Sequence, residues 1–150
     1  MSSSYTPSIV PFLAYADGAA AIEFLVTGFG FTEQNRITND DGRISHATLS
    51  LGDGLVYLAE FGDVYQGPKR HAETCEQARQ WLETPYIVDG AFVLVDDVRE
   101  HYERATNAGA TILSGVEEGG VGTLYRAADP EGHRWMFCQR QDHERHRATA

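Results

Sequence analysis

The chain has 150 residues, 42% hydrophobic and 23% charged, which fits one soluble globular domain with a sizeable core. Its 22 acidic residues outweigh 12 basic ones for a net charge of −10, so a nucleic-acid partner, which needs a basic face, is not expected. No run of about 18 apolar residues is present, so no membrane span is expected. Met1 to Pro7 lacks the cationic start and apolar centre of a secretion signal. Cys75 and Cys138 sit in unrelated contexts and read as free thiols of a reducing, cytoplasmic compartment.

In chain order, Ser8 to Tyr15 is an apolar run that predicts a first strand, with Pro11 marking an edge or bulge. Asp17 stands at an N-cap position, and Ile22, Leu25, Val26 and Phe29 recur at helical spacing until Gly28 and Gly30 end the helix. Phe31 to Thr38, Arg43 to Leu51 and Leu55 to Phe61 predict three further strands, separated by Asn39-Asp40-Asp41-Gly42 and Gly52-Asp53-Gly54. Residues 62–85 break the pattern. They predict a long connection with a short helix over Thr74 to Leu82, linking two halves and covering a site.

Tyr86 to Val95 is a strong strand, followed by Asp97 as a second cap and a helix from Val98 to Ala108 that Gly109 ends. Ala110 to Gly115 predicts a strand, and Glu117 to Val121 an acidic turn. Gly122 to Asp129 and His133 to Gln139 form a last hairpin. Its turn, Asp129-Pro130-Glu131-Gly132, joins a residue without an N–H to one that tolerates positive φ. Arg140 to Ala150 reads as a polar, frayed tail.

The chain contains an internal repeat: strand, helix, strand, strand, strand, twice. Asp17 matches Asp97, and Asp53-Gly54 matches Glu131-Gly132. The fold class is therefore α+β, two βαβββ modules forming a curved mixed sheet. The helices pack on its convex side and leave a concave pocket. Module one spans 8–61, the linker 62–85, module two 86–140 and the tail 141–150.

This layout, ending in Asp129-Pro130-Glu131-Gly132-His133-Arg134-Trp135-Met136-Phe137, resembles the vicinal oxygen chelate superfamily. That group includes glyoxalase I, extradiol dioxygenases, fosfomycin-resistance enzymes and bleomycin-binding proteins. Ala14-Tyr15-Ala16-Asp17-Gly18-Ala19-Ala20-Ala21-Ile22-Glu23-Phe24-Leu25, then Gly28-Phe29-Gly30-Phe31 and Ser45-His46-Ala47-Thr48-Leu49, look like its PhnB-like branch. The resemblance covers residues 8 to 140 and implies a homodimer, because the group builds its cups between or across modules of paired chains. It also implies that metal-using members carry His or Glu on the first and last strand of each module. Those positions fall here at Val10, Tyr57, Gly90 and Met136, none a good ligand for a hard divalent cation. No metal and no cofactor is expected.

Period-two alternation assigns faces. It puts Phe12, His46, Tyr57, Phe92, Arg134 and Met136 in the cup. The seventh strand resists phasing, so either Tyr125 or Arg126 points inward, and Tyr125 joins the expected ligand-binding set. Trp135 and Phe137 read as core, Cys138 as a small apolar strand residue, and Glu117 and Glu118 as a solvated turn. His133 reads as a structural contact, and His143 and His146 as solvated. Two functions compete. One is metal-independent binding of a small aromatic or cationic molecule in the concave sheet. The other is a metal-dependent lyase or dioxygenase with an off-pattern site that uses His46. No catalytic residue is assigned.

Overall fold

The computed structural model describes residues 6–141; His143, His146 and the rest of the tail lie outside the described residues. Module one comprises β1 (Phe12–Tyr15), α1 (Gly18–Phe29), β2 (Thr32–Thr38), β3 (Ile44–Leu51) and β4 (Gly54–Glu60). The linker carries a 3-10 turn (Gly62–Val64) and two short helices, α2 (Pro68–His71) and α3 (Glu76–Trp81). Module two comprises β5 (Gly90–Val95), α4 (Val98–Asn107), β6 (Thr111–Gly119), β7 (Gly122–Ala128) and β8 (Arg134–Gln139). Both expected βαβββ modules are present.

Each module is a four-stranded mixed sheet, in the orders β1-β4-β3-β2 and β5-β8-β7-β6. The first strand of each pairs parallel to the last, the helix carries the chain from that strand to the opposite edge of the sheet, and the remaining pairs are antiparallel. The ladders do not run from one sheet into the other among the described residues. The modules are joined by side chains. α1 and α4 pack on one side of both sheets, and Phe29 meets Trp135 and Phe137 with ring centroids 5.6 and 4.8 Å away. Phe29, Leu25, Leu49, Leu58, Ala105 and Phe137 are fully buried in one shared core. Burial of a side chain such as Phe29 contributes roughly 1.5–3 kcal/mol.

Some boundaries differ from the sequence reading, for physical reasons. β1 starts at Phe12 and not at Ser8, because Pro11 has no N–H to donate to a ladder. β5 starts at Gly90 and not at Tyr86; Thr84 instead accepts a turn bond from the Ile87 N–H at 3.4 Å. Glu117 and Glu118 are strand residues, paired with Leu124 and Thr123, so β6 runs through the expected turn to Gly119.

Both helices are capped as their sequences imply: Asp17 accepts the Ala20 N–H at 3.0 Å and Asp97 the Glu100 N–H at 3.1 Å. Further bonds cross between the modules. Arg104 donates from Nε and Nη2 to the carbonyls of Thr27 and Val26 (2.9 and 3.0 Å), satisfying orphan acceptors at the end of α1. Glu131 accepts the Ala16 and Asp17 N–H groups at 2.7 and 2.9 Å.

His101 donates from Nε2 to the Phe29 carbonyl (2.7 Å), so Nδ1 accepts the Tyr125 hydroxyl at 2.6 Å. That pairing needs the neutral imidazole. Burial holds the His101 pKa below its ordinary value, opposed by the Phe29 bond and aided by Arg104. A lowered folded value means that the unfolded chain binds the proton more readily. Stability is therefore full above about pH 6.5 and is lost as pH falls through the folded value. The expected result is a native melting midpoint that drops more steeply between about pH 7.5 and pH 5 than that of His101→Gln. Equal pH profiles for the two proteins, by differential scanning calorimetry, would refute this role.

Candidate functional site

The face of each sheet away from the helices is the candidate site. In module one, the Cα register aligns Phe12, Tyr57, Thr48 and Asn35 across all four strands, and His46 stands two residues from Thr48 on the same face. His46 Nε2 lies 2.8 Å from the Thr48 hydroxyl, and its ring meets Tyr57 edge-on at 4.9 Å. Phe12 is 57% exposed. This face carries no formal charge at those positions. It is an aromatic floor with a hydroxyl–imidazole pair that can donate or accept a hydrogen bond.

In module two the register aligns Phe92, Met136, Arg126 and Ser114. The next row brings Gly90, Arg134 and Ala128 together. Phe92 is 47% exposed, whereas Arg134 is buried. Arg134 donates from Nη1 to Thr84 O at 2.7 Å and from Nη2 to Leu82 O at 3.1 Å. Its guanidinium therefore clamps the end of the linker onto β8. Burial lowers its pKa from the usual arginine value, and no ion pair to it is found among the described residues.

The structure thus brings Phe12, His46 and Tyr57 together on one face, and Phe92, Arg134 and Met136 on the other. It moves Tyr125 out of the expected set. Tyr125 is fully buried on the helix side, against His101 and Phe137, and Arg126 takes the cup side of β7. Burial raises the Tyr125 pKa above the range of phenols in water, so it stays protonated and donates. Leu124-Tyr125-Arg126-Ala127-Ala128 has no hydrophobic alternation that would have phased this strand.

Two of the concavities between the modules lie away from the centres of these faces. One, of about 820 Å³, is lined by Leu51, Asp53, Asp97, Glu100, His101 and Arg140. The other, of about 450 Å³, runs between Ile9, Pro11 and Leu55 on one side and Ala91, Phe92 and Leu94 on the other. Phe92 alone of the expected site residues lines either. Within one chain the two sheet faces are open.

The Glyoxalase/Bleomycin resistance protein/Dioxygenase superfamily model matches residues 8–137. The chain belongs to this superfamily. An uncharacterized protein of Mycobacterium bovis is 32% identical over 140 residues, covering 93% of this chain and 87% of its own length. Among solved structures, TioX from Micromonospora sp. ML1 superposes with a TM-score of 0.65 at 31% identity, covering 91% of this chain and 100% of TioX. The bleomycin-binding protein of Streptomyces verticillus, solved with copper(II)-bleomycin, superposes with a TM-score of 0.58 at 18% identity over 93% of this chain and 100% of its own. At that identity the likeness is one of fold.

Metal-using members of the superfamily need His or Glu donors at the strand positions identified from the sequence. Here the register pairs Phe12 with Tyr57 and Phe92 with Met136 at the centre of the two faces. Gly90 precedes Phe92 by two residues on the same side of β5, and Val10 lies just outside β1. No group of three or more His, Cys, Asp or Glu that could hold a metal ion occurs among the described residues. His46 has Thr48 and Tyr57 as its neighbours, not carboxylates or a second imidazole. The donor set does not fit a divalent metal.

Proposed function

We propose that this superfamily member binds a small, largely apolar or aromatic molecule without a metal, and does so as a homodimer whose partnered sheet faces close the cup. One observation carries the reading: the central inward positions are Phe12, Tyr57, Phe92 and Met136, and the two phenylalanines are 57% and 47% exposed. Small-molecule sites are usually walled by such side chains with a few polar groups among them, here His46, Thr48 and Arg126. Exposed aromatic side chains on an otherwise well-packed sheet also mark a surface that is covered in the working molecule. The similarity to a bleomycin-binding protein supports sequestration as the class of activity. Cys75 and Cys138, set in unrelated contexts, fit a reducing, cytoplasmic setting.

Sedimentation and a thermal-shift screen test both parts. The native protein is expected to sediment as a dimer. A ligand at about a hundred times its Kd should add roughly 2.7 kcal/mol of stability. The double variant Phe12→Ala with Phe92→Ala should lose that shift, while a cooperative unliganded melting transition shows that it still folds. Binding that persists in the double variant would overturn the site. Binding that requires a stoichiometric, chelator-removable metal would overturn the metal-free mechanism.

A further inference from the structure

Module two's face holds positive charge that the protein itself barely neutralises. Arg126 stands at the centre of the row between Met136 and Ser114. Its Nη1 lies 3.3 Å from the Ser114 hydroxyl and 3.9 Å from Glu117, whose side chain is 56% exposed. Its Nε is buried and has no hydrogen-bond partner. The Tyr86 ring lies 5.8 Å from the guanidinium carbon, leaving an aromatic wall beside it. Arg134, in the adjacent row, is 4% exposed, bonds only carbonyls through its Nη atoms, and also has an unpartnered buried Nε. Among the described residues, Glu117, loosely placed and solvated, is the one carboxylate paired with either of these two guanidinium groups, in a chain whose net charge is −10. Taking a cation out of water without a hydrogen-bonded counter-charge is unfavourable, and a planar guanidinium best satisfies its donors on a carboxylate.

We infer that this face is an acid-accepting subsite: Arg126 takes the carboxylate of an aromatic or apolar organic acid, with Tyr86 and Phe92 flanking its ring. The inference rests on the small-molecule reading above and specifies its ligand class. It reverses the preference for cations that the net charge alone suggests. Module one's face offers no charge at its aligned positions, so polarity in the closed cup runs from a neutral aromatic floor to this cationic pole. Glu117 is exchanged for the ligand carboxylate and turns to solvent when the acid binds.

Matched probes test this: 2-naphthoate, the neutral 2-naphthamide, and inorganic phosphate, each titrated calorimetrically into the full-length protein in low salt. Native protein should bind naphthoate at least about tenfold more tightly than naphthamide, the size of effect expected of a charge-assisted bond. Phosphate should bind more weakly than naphthoate, because it makes no ring contact. Arg126→Gln should bind the two arenes equally, and Arg126→Lys should keep part of the preference as a point charge without the planar fork. An equal melting midpoint for Arg126→Gln and native protein shows that the fold is intact. If naphthamide binds native protein as well as naphthoate, or if the preference survives Arg126→Gln, the acid subsite is refuted while small-molecule binding stands. Phosphate binding as tightly as naphthoate refutes an organic-acid site in favour of a bare anion site. If neither arene binds, the acid subsite is refuted, and small-molecule binding is judged by the thermal-shift screen.

Discussion

Replacing Asp129 with alanine is expected to destabilise the protein by about 3–5 kcal/mol, the range for breaking a buried polar network. Asp129 is 2% exposed, and its two oxygens accept from four donors. Oδ1 takes the N–H groups of Glu131 and His133 at 3.1 and 3.0 Å, which shapes the turn. Oδ2 takes the Tyr15 hydroxyl at 2.6 Å and the Trp135 indole N–H at 3.2 Å. The Tyr15 bond spans 114 positions in sequence and joins β1 of module one to the hairpin of module two. Alanine leaves the Tyr15 hydroxyl and the Trp135 indole N–H buried with no acceptor, and strips the two turn N–H groups of theirs. Burial pushes the Asp129 carboxyl up, while His133, Tyr15 and Trp135 favour its charge; burial beside Asp129 in turn keeps Tyr15 protonated. Asp129→Asn preserves shape but replaces one acceptor with an NH₂ group facing the Trp135 indole N–H, which can only donate. It should therefore lose roughly half as much. Urea unfolding of the three proteins checks the order, and an alanine variant within about 1 kcal/mol of native would show that the network contributes little.

Gly132→Ala should cost about 2–4 kcal/mol, from two separable sources. Gly132 has φ of 94°, and a Cβ there would lie 2.5 Å from the Lys69 backbone nitrogen. That nitrogen donates to Glu131 O at 3.1 Å, so α2 of the linker rests directly on the turn and cannot yield cheaply. Gly42→Ala isolates the conformational part. Its φ is 86°, a methyl group there would meet nothing within 4 Å, and it should lose only about 1–2 kcal/mol. The difference between the two variants by urea unfolding measures the linker contact. Equal losses would mean that the linker lifts away from the turn at little cost.

Much of the fold can be read from short-range chemistry. Asp17 and Asp97 announce their helices because an N-cap acceptor satisfies N–H groups within the next turn, a purely local demand. The apolar spacing of Ile22, Leu25 and Phe29 marks a buried stripe for the same reason. Strand alternation places Phe12, Tyr57, Phe92 and Met136 on one side and Tyr15, Leu58, Trp135 and Phe137 in the core. It fails at Tyr125 and Arg126, where Leu124 and Arg126 share one phase, Tyr125 and Ala127 the other, and neither is clearly more apolar. Tertiary partners decide there: His101 and Phe137 hold Tyr125 on the helix side, so Arg126 faces the cup. Arg134 is legible as inward-facing, but its engagement with Leu82 O and Thr84 O depends on where the linker docks, 52 and 50 positions away.

Periodicity and local hydrogen bonding act over a few residues. They are enough to specify the two βαβββ modules, their caps and turns, and the apolar residues at the positions where metal-using relatives need donors. How the modules are joined depends on contacts between residues far apart in the chain: a shared helix-side core, the Asp129 network and Arg104, not one continuous ladder. The same long-range packing turns Arg126 toward the cup and docks Arg134 against the linker, two cations in a strongly acidic chain. Net charge sums over the whole surface, whereas a ligand meets only the few side chains that packing turns toward it.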